Sequence, residues 1–210
     1  MLAAIEEDDD YLKRVLFSDE ATFHLNGVVN RHNARIWGSE NPHAVFETVR
    51  DSPKLNVWCG LMHNNIIGPF FFSETTITAN TYLDMWQLFV VPQIQDIPDL
   101  IFQQDGAPPH WGLAVRAYLD TTYPGRWIGR GGPINWPPRS PDITPLDFFL
   151  WGYVKDQVYQ TPVNDIAALR RRITDVITSI PHEMLTNTWV ELDYRLDILR
   201  ATKGAHVEIY

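Results

Sequence analysis

Asp99-Leu100-Ile101-Phe102-Gln103-Gln104-Asp105 is an apolar run of strand length that closes on a carboxylate, and it repeats an earlier stretch, Lys13-Arg14-Val15-Leu16-Phe17-Ser18-Asp19. Short apolar runs bounded by turn chemistry read as buried strands. Laid side by side and parallel in the middle of a sheet, the two would deliver Asp19 and Asp105 to one edge. Carboxylates that close raise each other's proton affinity unless a cation lies between them. A hard divalent ion with oxygen ligands, Mg²⁺ or Mn²⁺, is the natural resolution. Against this stands the plainer reading that each aspartate begins a turn or caps the next element. For the pair, both readings stay open.

The surrounding chain supplies the rest of a sheet. Ala21 to Leu25 reads as a second extended piece before the Asn26-Gly27 turn. Leu55 to Met62 reads as a third strand, and Ile66 to Phe72 as another, broken at Gly68-Pro69. Together they predict an antiparallel meander. Ala79 to Gln95 changes period: Tyr82, Met85, Trp86, Phe89 and Val90 recur at the steps of a buried helix face. A helix is expected from His110 to Tyr123, stopped by Pro124-Gly125, and Trp127-Ile128 is a short last strand. Gly129 to Pro145 is a long loop rich in Gly and Pro, of a kind that is commonly functional inside a domain. A helix follows from near Pro145 to about Tyr159, then two more, striped by Leu169, Ile173 and Ile177 and by Leu185, Trp189, Leu192 and Leu196. Strand–helix alternation implies parallel pairing by right-handed crossovers, and so a mixed sheet with helices on its faces.

Composition narrows the function. A chain of 210 residues holds one large α/β domain or two small ones. Eight Trp and ten Phe point to a wide aromatic core or contact surface, the core being the plainer reading. The single Cys59 excludes an internal disulfide and any multi-cysteine zinc site, and it fits a reducing compartment. No apolar run approaches the ~18 residues that span a bilayer, so no membrane partner is expected. The acidic start, Met1 to Arg14, is not expected to be a signal peptide. A net charge of −9 argues against a general nucleic-acid binder, although a carboxylate-rich metal site itself costs negative charge. There is no Ser/His/Asp or Cys/His arrangement, and no Walker-type loop or dinucleotide fingerprint, so no nucleotide cofactor is expected.

A third acid lies within Ser140-Pro141-Asp142-Ile143-Thr144-Pro145-Leu146-Asp147. Spacing alone leaves Asp142 and Asp147 level, and Thr144 to Asp147 also fits a capping box with Pro at the first helical position. His110 reads either as a proton shuttle or DNA-backbone contact, or as a helix-start residue packed on Pro108 and Pro109. Glu20 should point to the opposite side of its strand from Asp19 and serve structure. Arg170-Arg171-Arg172 reads as a solvated helix face. Arg130, Trp136 and Arg139, in the Gly/Pro-rich loop, are the better DNA-contact candidates, since cationic and aromatic groups there would lie beside the acidic edge.

Three blocks, Ser18 to Phe23, Gln104 to His110 and Ser140 to Asp147, together resemble the catalytic blocks of the mariner/Tc1 transposase superfamily, as do Asn56 to Gly60 and Phe148 to Gly152. The resemblance runs from about Leu12 to about Gly204. It implies a ribonuclease-H-like α/β fold: a mixed five-stranded sheet, helices on both faces and extra C-terminal helices. Residues 1–12 would be an acidic linker remnant, 13–160 the catalytic core, and 161–210 helices packed on that core. Asp19, Asp105 and Asp147 would be the catalytic and metal-binding acids, with Asp147 rather than Asp142 as the third. Two features depart from the common pattern: Gly106 stands where Asn usually follows the second acid, and the second and third acids are 42 positions apart.

The implied chemistry is cleavage of DNA at transposon ends and strand transfer into target DNA, using two Mg²⁺ or Mn²⁺ ions roughly 4 Å apart. A homodimer acting in the nucleus is expected. Such enzymes carry a helix-turn-helix region ahead of the catalytic domain, which this chain is expected to lack. Two other readings are a domesticated or decayed relic serving as a non-catalytic binding module, and a structural α/β protein whose aspartates are turn residues.

Overall fold

β1 (Val15–His24) runs unbroken for ten residues, and its two faces meet different cores. Val15, Phe17, Ala21 and Phe23 enter one apolar cluster, and Leu16 enters the other. The expected break near Glu20 is absent: the two extended pieces are one strand, because β2 (Lys54–Met62) pairs with it continuously from Phe17↔Leu61 to His24↔Lys54. The computed structural model describes residues 1–8, 10–27, 52–136 and 141–202.

β3 (Asn65–Phe72), β4 (Ile101–Gln103) and β5 (Trp127–Ile128) complete a five-stranded sheet in the order β3-β2-β1-β4-β5. The first three strands form the antiparallel meander, and β4 and β5 join β1 in parallel. β3 is not broken at Gly68-Pro69, as the sequence suggested. Register passes from Trp58↔Phe70 to Gly60↔Ile67, so these two residues oppose Cys59 as a bulge. A bulge tolerates the missing proline N–H, and Gly68, at φ +110°, allows the close pass by the Trp58 carbonyl.

Both faces of the sheet are covered, which is why its central strands read as solid apolar runs. After a short lead-in helix, α1 (Leu2–Glu7), α2 (Ala79–Met85) begins at a reciprocal Thr78–Thr81 cap. It continues through a π turn, Trp86–Val90, into α3 (Val91–Ile94). With α4 (Leu113–Thr122), these helices bury Tyr82, Trp86 and Leu119 against Leu16, Trp58, Phe102 and Trp127. The opposite face carries α5 (Trp151–Val158), α6 (Ile166–Thr178) and α7 (His182–Ala201). There Leu150, Trp151, Leu169, Trp189 and Leu192 pack with Phe17, Phe23 and Val57. Trp189 meets Phe17 edge-on at 6.0 Å and donates its indole N–H to the Leu12 carbonyl, binding the C-terminal helices to the start of the sheet.

Two expectations about basic and loop residues change. Arg172 donates to the carbonyls of Val158, Thr161 and Pro162, fixing the α5–α6 connection, and Arg170 lies over the Phe71 ring at 4.4 Å. Only Arg171 of the three is simply a solvated side chain. The loop after β5 is partly structured: Gly129 N–H bonds the Ile134 carbonyl, and Ile134 bridges Ile128.

Candidate active site

The parallel register Val15↔Ile101, Leu16↔Phe102, Phe17↔Gln103 stops two residues short of each acid, so Asp19 and Asp105 leave neighbouring central strands at one edge. Ser18 Oγ donates to the Gln103 carbonyl at 2.8 Å and locks the strands together there. Asp147 comes from the opposite element, a π turn (Leu146–Leu150) that opens α5 and whose first N–H groups bond the Thr144 carbonyl. Pro145 holds the cap position, where its side chain makes no capping bond. Four residues on, Trp151 donates its indole N–H to Asp19 Oδ2 at 2.8 Å, tying α5 to β1.

Asp19 and Asp147 both feel the neighbouring acids. Asp19 is held well above the usual carboxylate range, first by burial and then by Asp147, Glu20 and Asp105, with the Trp151 hydrogen bond pulling the other way. The Asp147 carboxyl stands at the solvent-facing rim, yet lost hydration and the nearby Asp105 push it up to about 6, against the pull of Lys155. Asp142 adds to the field on Asp147 but is not among the charges acting on Asp19. Burial lowers the Lys155 ammonium, while Asp19 and Asp147 work to keep it charged.

Asp105 behaves differently. Burial acts to raise it, but His110 and the Ala107 N–H carry it below the ordinary value. His110 Nδ1 lies 2.6 Å from Asp105 Oδ1, and Nε2 lies 3.1 Å from Glu20 Oε2. Burial alone would lower this imidazole, but Glu20 and Asp105 prevail and raise it to about 10. Tyr82 lies against the ring at 4.3 Å, and its hydroxyl donates to Gln104, whose amide donates to the His110 carbonyl. Glu20 does face away from Asp19, as its place on the strand required, but through His110 it bears on Asp105.

The DNA-contact candidates separate. His110 is 1% exposed, so it is an internal bridge and not a surface contact. Trp136 is buried edge-on against Phe17 at 6.1 Å; its ring fills the core and offers no free face for stacking. Arg130 is exposed, with its guanidinium 4.4 Å over the ring of Trp111, itself 39% exposed. Arg139 lies outside the described residues. Trp151 and Lys155 were missed in the sequence, although they lie four and eight positions after Asp147, the spacing that puts side chains on one helix face.

Asp19 and Asp105 at one edge, with Asp147 near enough to act on Asp19, are hard, anionic oxygen donors of the kind that takes Mg²⁺ or Mn²⁺. As positioned, Asp19 Oδ2 faces Trp151 and Asp105 Oδ1 faces His110. Among the described residues no three His, Cys, Asp or Glu side chains converge on a single point.

No protein-family model matches the chain. It is 26% identical over 200 residues to the Tc3 transposase of Caenorhabditis elegans, a stretch that covers 91% of this chain and 56% of that protein. The chain thus spans little more than half the length of this relative. The fold superposes on the Mos1 transposase in a paired-end complex with the left transposon end, with a TM-score of 0.77, 17% identity and coverage of 99% of this chain and 60% of that one. It also matches the Mos1 catalytic domain with raltegravir and Mn, with a TM-score of 0.73, 17% identity and coverage of 99% and 90%. The expected ribonuclease-H-like sheet, flanked by helices on both faces, is therefore the one found. In sequence the chain is similar to the Tc3 transposase, and its fold is that of the Mos1 transposase catalytic domain.

Proposed function

We propose that this domain cleaves DNA phosphodiesters at transposon ends and transfers the freed strand into target DNA, with Asp19, Asp105 and Asp147 as the acids that hold its divalent ions. The observation that carries the reading is the emergence of Asp19 and Asp105 at one edge of adjacent parallel strands, with Asp147 close enough to disturb the ionisation of Asp19. The donor set fits Mg²⁺ or Mn²⁺ in oxygen chemistry and in charge, and the Mos1 structures include complexes with Mn and with Mg. Bound there, two such ions would activate the attacking oxygen and stabilise the leaving one.

The chain's own residues prepare that edge. Trp151 fixes Asp19 from the helix side, and Lys155 keeps a positive charge beside Asp19 and Asp147 while the acids are ionised. Arg130, exposed on the loop after β5, supplies a cation for the DNA backbone. Mos1 has been seen in a strand transfer complex as well as in paired-end complexes. On that analogy the domain works as a homodimer holding two DNA ends, in the nucleus. Recognition of a particular end sequence belongs to the whole protein.

The test is Mn²⁺-dependent cleavage of DNA by the wild type and by Asp105→Asn, Asp147→Asn and Asp142→Asn. Loss of activity in the first two with activity kept in the third supports the assignment. Loss only in Asp142→Asn would move the third acid to that residue, and a wild type inert with Mn²⁺ would count against the nuclease reading.

A further inference from the structure

We propose that His110 and Glu20 are positioning residues for Asp105: the imidazole pins one carboxylate oxygen, Oδ1, and leaves Oδ2 as the oxygen offered to a divalent ion. The proposal rests on the reading of Asp105 as a metal ligand. Oδ1 is approached at two points from inside the protein, by the hydrogen bond from the Ala107 N–H at 2.9 Å and by the charge contact with His110 Nδ1 at 2.6 Å. The Asp105 side chain as a whole remains 43% exposed.

A buried histidine needs only ordinary partners, and this ring has more than that. Both nitrogens face carboxylate oxygens: Nε2 is hydrogen-bonded with Glu20, and Nδ1 meets Asp105 Oδ1 as a close charge contact that lacks hydrogen-bond alignment. Glu20 reaches it from the face of β1 opposite Asp19, at 14% exposure. Tyr82 covers one side of the ring, and the Tyr82–Gln104–His110 chain of hydrogen bonds holds the backbone that carries it. The ring therefore has little freedom to rotate, and neither has the acid it holds. Partners of this kind that orient a metal ligand are worth about 10–100-fold in metal affinity.

Two amides separate the ring's contacts. In His110→Asn the amide nitrogen stands near the place of Nδ1 and can still donate to Asp105. In His110→Gln it stands near Nε2, facing Glu20, and leaves Asp105 unheld. Both lose the stacked ring, so a merely structural role would penalise them alike. Mn²⁺ alone is the probe: its binding is measured by the electron paramagnetic resonance of free Mn²⁺ in titrations of folded protein, with metal-free melting followed in parallel.

The expected result is an affinity about 10-fold or more weaker for His110→Gln, within about 3-fold of wild type for His110→Asn, and intermediate for Glu20→Gln. Glu20→Gln keeps the ring and serves if either His110 variant fails to fold: binding equal to wild type there would overturn the proposal. Wild-type affinity in His110→Gln would also overturn it, as would equal losses in the Asn and Gln variants. If wild type and Asp105→Asn both ignore Mn²⁺, it is the metal reading of the site that fails, and this proposal with it.

Discussion

Trp151→Phe isolates the bond that joins the two halves of the site. Phe keeps the edge-on contact with Phe23, found at 6.2 Å, but removes the indole N–H that donates to Asp19 Oδ2 at 2.8 Å. A hydrogen bond to a charged partner contributes about 1.5–3 kcal/mol. Asp19 recovers part of that loss by taking up a proton, since its carboxyl already sits well above the ordinary range. The hydrogen-bond loss should therefore fall near the lower end, ~1–2 kcal/mol, with about another 1 kcal/mol from the smaller ring in a packed core. For a domain of this size each kcal/mol moves the melting temperature by about 2–4 °C.

The assay is urea unfolding at pH 7.5 in EDTA, run as a double-mutant cycle with Asp19→Ala. In the Asp19→Ala background only the packing loss remains, so Trp151→Phe should cost ~1–2 kcal/mol less there than in wild type. Equal costs in the two backgrounds would refute the coupling and, with it, the claim that α5 is fastened to β1 through Asp19.

Trp136→Ala should cost about 3–5 kcal/mol in the same unfolding assay, because it empties a buried aromatic site, whereas Trp111→Ala, half in solvent, should stay within about 1 kcal/mol of wild type. Arg172→Ala should lose about 1–2 kcal/mol with its three carbonyl contacts, and Arg171→Ala should stay within about 0.5 kcal/mol of wild type, as compared by thermal melts. His110 is raised from 6.5 to about 10, so the folded protein retains a proton that the unfolded chain gives up. Its contribution is complete below pH 6.5 and is lost as pH rises through about 10; metal-free stability should decline over that window, and His110→Gln should flatten the slope.

Much of this architecture is legible in the chain because it rests on period and punctuation. Asp19 and Asp105 could be set on one edge from two apolar runs of the same form, and parallel pairing did the rest. β5 was readable from two residues, Trp127 and Ile128, because Pro124-Gly125 stops the helix before them. What misled was local. A carboxylate pair inside β1 looked like a strand end, but Asp19 and Glu20 point to opposite faces of one strand, each with its own partner. Trp136 and His110 lie in stretches rich in Pro and Gly, where side chains are usually exposed; both are buried through contacts with Phe17 and Tyr82 that are far away in sequence. Proline in β3 looked like a break because the bulge that absorbs it depends on Cys59 of the neighbouring strand.

The central claim is that Asp19, Asp105 and Asp147 hold divalent metal, and anomalous diffraction from crystals grown with Mn²⁺ tests it most directly. The account predicts manganese peaks at the edge where β1 and β4 end, within coordination distance of all three carboxylates and reached by Oδ2 of Asp105. Peaks bound by Asp142 in place of Asp147, or none at that edge at saturating Mn²⁺, would contradict it.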